Sequence, residues 1–502
     1  MQTAHAVVPD QATFLQLAEA HNVVPVTLQV VADRETAVTA FEKLVGEAEG
    51  FLLESVEGGE RWAQWSFLGW DPHFTFVANA TTSRLEGEGA AGIQLSEGSP
   101  LTVLEDLISR FSTPHIEGLP PLHSGLVGYF AYDVVRQVEH LPNRPEADRD
   151  LPEMIWQFVG ALAAVDRLGQ TITLVRNVFV GDDPGAQYEE ALALLSADAD
   201  ALATSSGYTP QVASSLAAEL PSNITSTMDQ STFEAGVESC REFIRRGDAY
   251  QIVLSQRLGI PFTGDTFEVY RALRLINPSP FLYYLRHAEL DIVGSSPELM
   301  TRVRDGIAYS RPIAGTRPRG ADEVEDARLA AELLSDPKER AEHVMLIDLA
   351  RNDLGRVCEF GSVHIDDLMV IERYSHVMHI VSGVSGKLKP GTSAIDVIRA
   401  TFPHGTVSGA PKVGAMEIID SLEPVARGPY AGALGYIDFS GNIDTAICLR
   451  TVICAQGTAW VQAGAGLVAD SDPTLEYEES MNKAAAALAA VEVVRHEWSF
   501  VR

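Results

Sequence analysis

Residues 434–468 read LGYIDFSGNIDTAICLRTVICAQGTAWVQAGAGLV. The runs LGYIDFS, TAICLRTVICA and AWVQAGAGLV are rich in β-branched and aromatic residues and are set off by Gly-containing turns, which is the signature of successive strands. Upstream, QIVLSQRLGI (251–260), FLYYLRH (281–287) and DIVGSS (291–296) read the same way. Between these runs, apolar residues recur at helical spacing over Phe233–Arg246, Asp322–Leu334, Arg340–Asn352 and Leu475–His496. Strands and helices are both plentiful, yet no regular βαβ repeat links them. The pattern therefore predicts an α+β fold with extended, largely antiparallel sheets and not a doubly wound one.

The amino-terminal part has a different texture. VPVTLQVV, GFLLES, WSFLGW, FTFVA, GLVGYFAY and TITLVRNVFV lie between Val24 and Val180, with helices expected over Ala37–Glu47 and Ala186–Leu195. The division that results is a β-rich portion over residues 20–200, a linker over 201–230 rich in Ala, Ser and Thr, and a second portion over 231–502. Residues 1–20 show no strong pattern and read as a loosely held terminus.

Composition removes several classes of function. The 502 residues carry 37 Lys and Arg against 69 Asp and Glu, a net charge of −32 that opposes contact with phosphate backbones, so no nucleic-acid partner is expected. No run approaches the roughly 18 apolar residues of a membrane span, and MQTAHAVVPD lacks the blocks of a signal peptide, which predicts a cytoplasmic protein with no membrane contact. Four dispersed cysteines suit a reducing compartment.

Single motifs leave alternatives open. Glu342 sits in a strong helical pattern, and Glu476 and Glu479, three apart, share a helix face. Three carboxylates from two helices suit a hard dication, although surface helices are rich in Glu for other reasons. GTVSGAPK (405–412) and AGAGLVADSDP (463–473) read as tight glycine loops or as backbone donors to an anion, and neither follows a nucleotide fingerprint. Glu298 in SSPEL is an acid beside small residues, a proton donor if desolvated. His379 lies on an apolar segment where a histidine is commonly a satisfied core group, and Arg450 within a strand pattern needs an anionic partner.

Taken together and in order, GDAYQIVLSQR, NPSPFLYYL, GSSPEL, RPIAGTRPRG, DPKERAEHVMLIDLARNDLG, FPHGTVSGAPK and LEYEESMNK resemble the chorismate-utilising enzymes, and within them the large subunits (component I) of anthranilate synthases. The resemblance spans about Phe233 to Lys483. It implies that family's fold, large antiparallel sheets packed together with helices outside. It also implies a lyase that turns chorismate and ammonia into anthranilate and pyruvate in tryptophan biosynthesis. Mg²⁺ falls on Glu342, Glu476 and Glu479. Tyr430, Arg450, Lys483, Thr406 and the amides at Gly464 and Gly466 fall near the substrate carboxylates, and Thr316 near the substrate. Glu298 takes the role of general acid and His379 that of a group in the elimination half.

Two positions separate the branches of that family. Water-activating, isochorismate-forming relatives place a lysine where this chain has Gln251, and aminodeoxychorismate relatives place one where it has Ala314. Both positions here imply the ammonia branch; an aminodeoxychorismate synthase or a catalytically inactive regulatory homologue are the other readings. No cysteine lies in a glutaminase-like motif, so a separate glutamine amidotransferase subunit is implied, giving a hetero-oligomer. LLESVEGGERW (52–62) and NPSPFL resemble the family's inhibitor segments, which assigns a tryptophan site to Glu54, Ser55, Asn277, Pro278, Ser279, Pro280, Phe281 and Leu282, with Glu54 accepting the ammonium. His404 and Gly414 stand where the family pattern has a small residue and an arginine.

Overall fold

Alternate side chains of the central strands sort to opposite faces. Leu52, Leu68, Tyr284 and Val452 pack beneath helices, whereas Phe51, Phe67, Tyr283 and Ile453 point into a second apolar layer. The same split separates Leu126 and Phe130 from Val127 and Tyr129. A strand that is apolar on both faces must be covered on both. The result, in a computed structural model that describes residues 7–55, 64–205, 221, 223–374 and 377–496, is two sheets face to face with helices on the outer sides.

Among the described residues, one sheet has thirteen strands and the other eleven. Their ladders are antiparallel, as the α+β reading expects. Each sheet mixes strands from the two ends of the chain. Gly50–Glu54 lies against Phe281–His287 with Glu54 opposite Leu282, and Leu126–Phe130 lies against Ala433–Ile437. Burying the apolar faces of these strands together makes one continuous inter-sheet core from both portions.

Local chemistry sets the helix ends. Asp336 caps Pro337–Val357 by accepting from the Lys338 and Glu339 amides, and Asp472 does the same for Pro473–His496 through the Thr474 and Leu475 amides. An aspartate followed by proline at the first helical position suits both the free amides and the fixed φ of the ring. The carboxylates Glu342, Glu476 and Glu479 thereby lie in the first turns of these helices or just beyond them.

Three expectations change. Residues 11–18 form a capped helix whose Phe14 is fully buried against Tyr188, so this part of the terminus is held by the core. The helix expected over Ala186–Leu195 runs over Pro184–Leu202, because Asp198 pairs with Arg176 and Leu202 reaches the core. It therefore enters the stretch read as linker, of which 206–220 and 222 lie outside the described residues. AGAGL ends strand Thr458–Leu467, as the strand reading of AWVQAGAGLV expects, whereas GTVS, read as a tight glycine loop, is a single helical turn leading into the short strand Gly409–Ala410.

Candidate active site

The floor of the site is strand Gln251–Pro261, paired with Thr458–Leu467 along its length and with Gly409–Ala410 at its start. Gly464 is opposite Ser255 and Gly466 opposite Val253. A Cβ on Gly464 would stand 2.3 Å from the Leu254 carbonyl oxygen, and one on Gly466 would stand 2.8 Å from Gln251 Nε2. Glycine is needed here for close approach of backbone and amide. The neighbouring strand Thr451–Ala455 pairs only as far as Val461, so among the described residues Ala463–Leu467 has a strand partner on one edge.

Above this floor the acidic residues gather. Gln251 is buried and donates from Nε2 to Glu342 Oε1 at 3.0 Å. Burial raises the Glu342 carboxyl above its usual range, and the charges of Glu339 and Glu479 add to the effect. Glu476 is raised by burial and by Glu479, against a hydrogen bond from Ser471 and the charges of Lys483 and Lys338. Glu479 itself turns to Lys483 Nζ at 2.6 Å, and among the described residues no three acidic, His or Cys side chains converge as a formed metal site would. The donor chemistry nonetheless fits Mg²⁺. Poorly solvated carboxylates that repel each other are relieved by a hard dication with oxygen ligands.

Glu298 is the most perturbed acid beside them. The residue is 6% exposed, and burial pushes its carboxyl up to about 8, opposed by a Thr406 hydrogen bond and the charge of Lys483. Lys483 in turn donates to the Gly464 carbonyl at 3.1 Å, which ties the acid to the strand floor. Tyr430 is buried over the Arg427 guanidinium, whose carbon lies 5.6 Å from the ring centroid. Arg427 pairs with Glu423 and donates to the Val253 and Val407 carbonyls, each at 2.7 Å. Ser255 donates to Glu423 from both amide and hydroxyl. This satisfied buried network fixes the floor strand, the turn bearing Thr406 and the tyrosine as one unit.

His379 and Thr316 are cross-strand partners, and His379 Nδ1 lies 3.0 Å from the Gly315 carbonyl oxygen and 3.1 Å from Thr316 Oγ1. The carbonyl fixes the proton on Nδ1 and leaves Nε2 as a lone pair. Burial lowers the imidazole pKa, partly offset by that hydrogen bond, and the nearby Arg450 charge lowers it further, so the ring is neutral at pH 7. Arg450 itself has φ of +48°, in the left-handed region that non-glycine residues seldom occupy. Its Nη1 reaches Asn277 Oδ1 at 3.4 Å.

The profile of the family described as chorismate binding enzyme matches residues 51–489. The chain belongs to the chorismate binding enzymes. Anthranilate synthase component 1 of Acetivibrio thermocellus is 44% identical over 479 residues, covering 95% of this chain and 97% of that one. The protein of the same name from Pseudomonas aeruginosa is 42% identical over 95% of this chain and 97% of its own length. The crystal structure of anthranilate synthase component I from Streptococcus pneumoniae TIGR4 superposes with a TM-score of 0.75 at 33% identity, covering 91% of this chain and 99% of that chain. The Escherichia coli isochorismate synthase MenF, at 17% identity and a TM-score of 0.70, shares the fold.

In this chorismate binding enzyme the segments around Glu54 and Pro280 meet elsewhere. A cavity of about 520 Å³ between the sheets is lined by Glu54, Ser55, Pro280, Phe281 and Leu282 and by residues that include Arg302 and Tyr436. Asn277, Pro278 and Ser279 do not line it; Asn277 follows helix Thr266–Ile276 and is the residue that reaches Arg450. The role expected of Glu54 needs correction. Its carboxylate already accepts from Arg167, Arg274 and Tyr270, so it is not a free acceptor for an ammonium. Residues 56–62 of LLESVEGGERW lie outside the described residues.

Some functional neighbours escaped the sequence reading. Lys338 acts on both Glu342 and Glu476, and its position four residues before Glu342 on one helix was the available signal. The Glu423–Arg427 pair, also four apart, was equally readable as a pair but not as a support beneath Tyr430.

Proposed function

We propose that the chain is the chorismate-converting subunit of an anthranilate synthase, a lyase of tryptophan biosynthesis that takes one chorismate and one ammonia to one anthranilate, one pyruvate and one water. The observation that carries this reading is Glu298, a buried carboxyl that burial pushes up to about 8. Hydroxide is a poor leaving group, and an acid held in its protonated form is what loss of the C4 hydroxyl requires. Ammonia nitrogen bonds to C2, the two ring double bonds shift from C1=C2 and C5=C6 to C1=C6 and C4=C5, the C4 oxygen departs as water with the proton of Glu298, and the ammonium formed at C2 returns a proton to the carboxylate. In the second half the C2 proton is lost, the C3–O bond breaks as the ring becomes aromatic, and the released enolpyruvate takes a proton on its methylene carbon to leave as pyruvate. The neutral Nε2 of His379 is suited to accept the C2 proton.

Substrate placement follows from local charge, since a net charge of −32 repels a dianion at long range. Arg450 and Lys483, with backbone groups around Gly464 and Gly466 and the Thr406 hydroxyl, suit the substrate carboxylates. Glu342, Glu476 and Glu479 would hold Mg²⁺, which when bound supplies a Lewis-acid contact for one carboxylate. Position 251 favours ammonia over water as nucleophile: Gln251 is an amide that donates to Glu342 and cannot serve as a base. Ala314, buried in its strand, offers no amine for attack on C2.

Ammonia is supplied by a glutamine amidotransferase partner. The chain's four cysteines are buried, and burial raises every thiol, Cys240 and Cys448 to about 12, so none is the activated nucleophile that glutamine hydrolysis needs. Unpaired thiols also suit the cytoplasm. Tryptophan is read as a feedback inhibitor in the inter-sheet cavity, where Pro280, Phe281 and Leu282 offer an apolar slot, and the Asn277–Arg450 contact supports coupling of that segment to the substrate site. The test is turnover of purified chain with chorismate, Mg²⁺ and ammonium. Anthranilate fluorescence and pyruvate rising one to one support the reading, and isochorismate or aminodeoxychorismate as the end product overturns it.

A further inference from the structure

The amino-terminal portion reaches the turn that carries Tyr430. Strand Leu126–Phe130 is paired with Ala433–Ile437, Phe130 opposite Ala433, so the residues just beyond these strand ends run side by side. On one side stand Tyr132 and Asp133, both buried. On the other is the turn that begins at Gly428. The Tyr132 amide donates to the Gly428 carbonyl at 2.7 Å, and the Gly428 amide donates to Asp133 Oδ2 at 3.0 Å. Both backbone polar groups of this glycine are thus engaged by a segment 295 residues away.

Gly428 has a φ of +63°, in the left-handed region, and a Cβ there would stand 2.9 Å from Arg149 Nη2. The turn therefore calls for glycine. Glycine also crosses to other conformations at no steric cost, so the residue that permits this turn does not itself hold it. Its neighbours are fixed. Arg427 is anchored by Glu423 and by the Val253 and Val407 carbonyls, and the ring of Pro429 sets its own φ. Gly428 is the free joint between them, and Tyr132 and Asp133 are its clasp. The carboxylate of that clasp is steadied in turn: Asp133 Oδ1 lies 3.6 Å from Arg136 Nε, and Arg136 donates to both Asp420 oxygens at 2.8 and 2.9 Å.

We infer that Asp133 is a positioning residue for substrate binding: by accepting the Gly428 amide it locks the left-handed joint that aims Tyr430 at a chorismate carboxylate. The inference rests on the reading of Tyr430 as a contact to that carboxylate. It gives the amino-terminal portion a part in substrate binding, and it makes the acceptor, and not the charge of Asp133, the property that matters.

The experiment is calorimetric titration of the full chain with chorismate in the presence of Mg²⁺ and without ammonium, which reads binding apart from turnover, followed by kcat with ammonium restored. Asp133→Asn offers a carboxamide oxygen in place of Oδ2 and should keep chorismate Kd within about twofold of the wild type. Asp133→Ala and Asp133→Leu lack an acceptor and should weaken binding about 10-fold, with kcat at saturating chorismate within about twofold. Tyr430→Phe should weaken binding on its own, and adding Asp133→Ala to it should cost less than about twofold more, because the clasp acts through the tyrosine. Wild-type affinity in Ala and Leu, a loss in Asn equal to theirs, a multiplied loss in the double variant, or failure of both Ala and Leu to fold overturns the proposal. Wild-type affinity in Tyr430→Phe would instead remove the substrate contact on which the inference rests, a failure distinguishable from those of Asp133.

Discussion

Replacing Glu298 by Gln should make the protein more stable as it makes it inactive, and the gain should grow with pH. A glutamate titrates near 4.3 in an unfolded chain, whereas burial moves this one to about 8 in the fold. A carboxyl raised in this way contributes fully to stability below the unfolded value and loses that contribution as pH rises through the folded one. Linkage over this interval costs the wild type about 2 kcal/mol at pH 6, about 4 at pH 7 and about 5 at pH 9. The amide has nearly the same shape and no charge to desolvate, so its stability lacks this dependence. Urea unfolding of wild type and Glu298→Gln at pH 6 and pH 9 should therefore diverge by about 3 kcal/mol between the two conditions. Turnover should fall by roughly 10² to 10⁴, the range of a lost general acid. Parallel stability curves for the two proteins would refute the claim that Glu298 is held protonated by burial.

Substituting Gln for Glu342, Glu476 or Glu479 should abolish Mg²⁺-dependent turnover with the fold intact by circular dichroism; because the first two are raised by burial, calorimetric Mg²⁺ affinity should weaken on acidification at higher pH than for exposed carboxylates. His379→Met should let an amino intermediate accumulate with little anthranilate, which chromatography of quenched reactions detects. Ser55→Phe, which intrudes on the inter-sheet cavity, should eliminate calorimetric tryptophan binding and leave uninhibited activity; in the wild type tryptophan should weaken chorismate binding about 5- to 150-fold.

The alternation that buries Leu52 and Phe51 on opposite faces, and the helical spacing from Leu475 onward, are properties of neighbours in sequence, so strands and helices were legible there. The acid-rich helices, Glu298 and His379 were nameable because ordered motifs carried them. The surroundings that tune them were not. Burial of Glu298 depends on strands and turns from distant segments, as does the pairing of Glu54 with Arg167 and Arg274, which stand 113 and 220 residues away. The strand reading of AWVQAGAGLV was legible, but the reason for its glycines, close packing against Leu254 and Gln251, was not. The left-handed backbone of Arg450 likewise has no signature in ICLRT.

The central claim, that ammonia itself attacks C2 while Glu298 protonates the leaving oxygen, is tested most directly by a single turnover of the purified chain with chorismate, Mg²⁺ and ¹⁵N-ammonium, followed by mass spectrometry of both product and protein. The account predicts anthranilate carrying one ¹⁵N, an equal amount of pyruvate, and an unmodified chain. A lysine–substrate adduct on the protein, or isochorismate in place of labelled anthranilate, would contradict it.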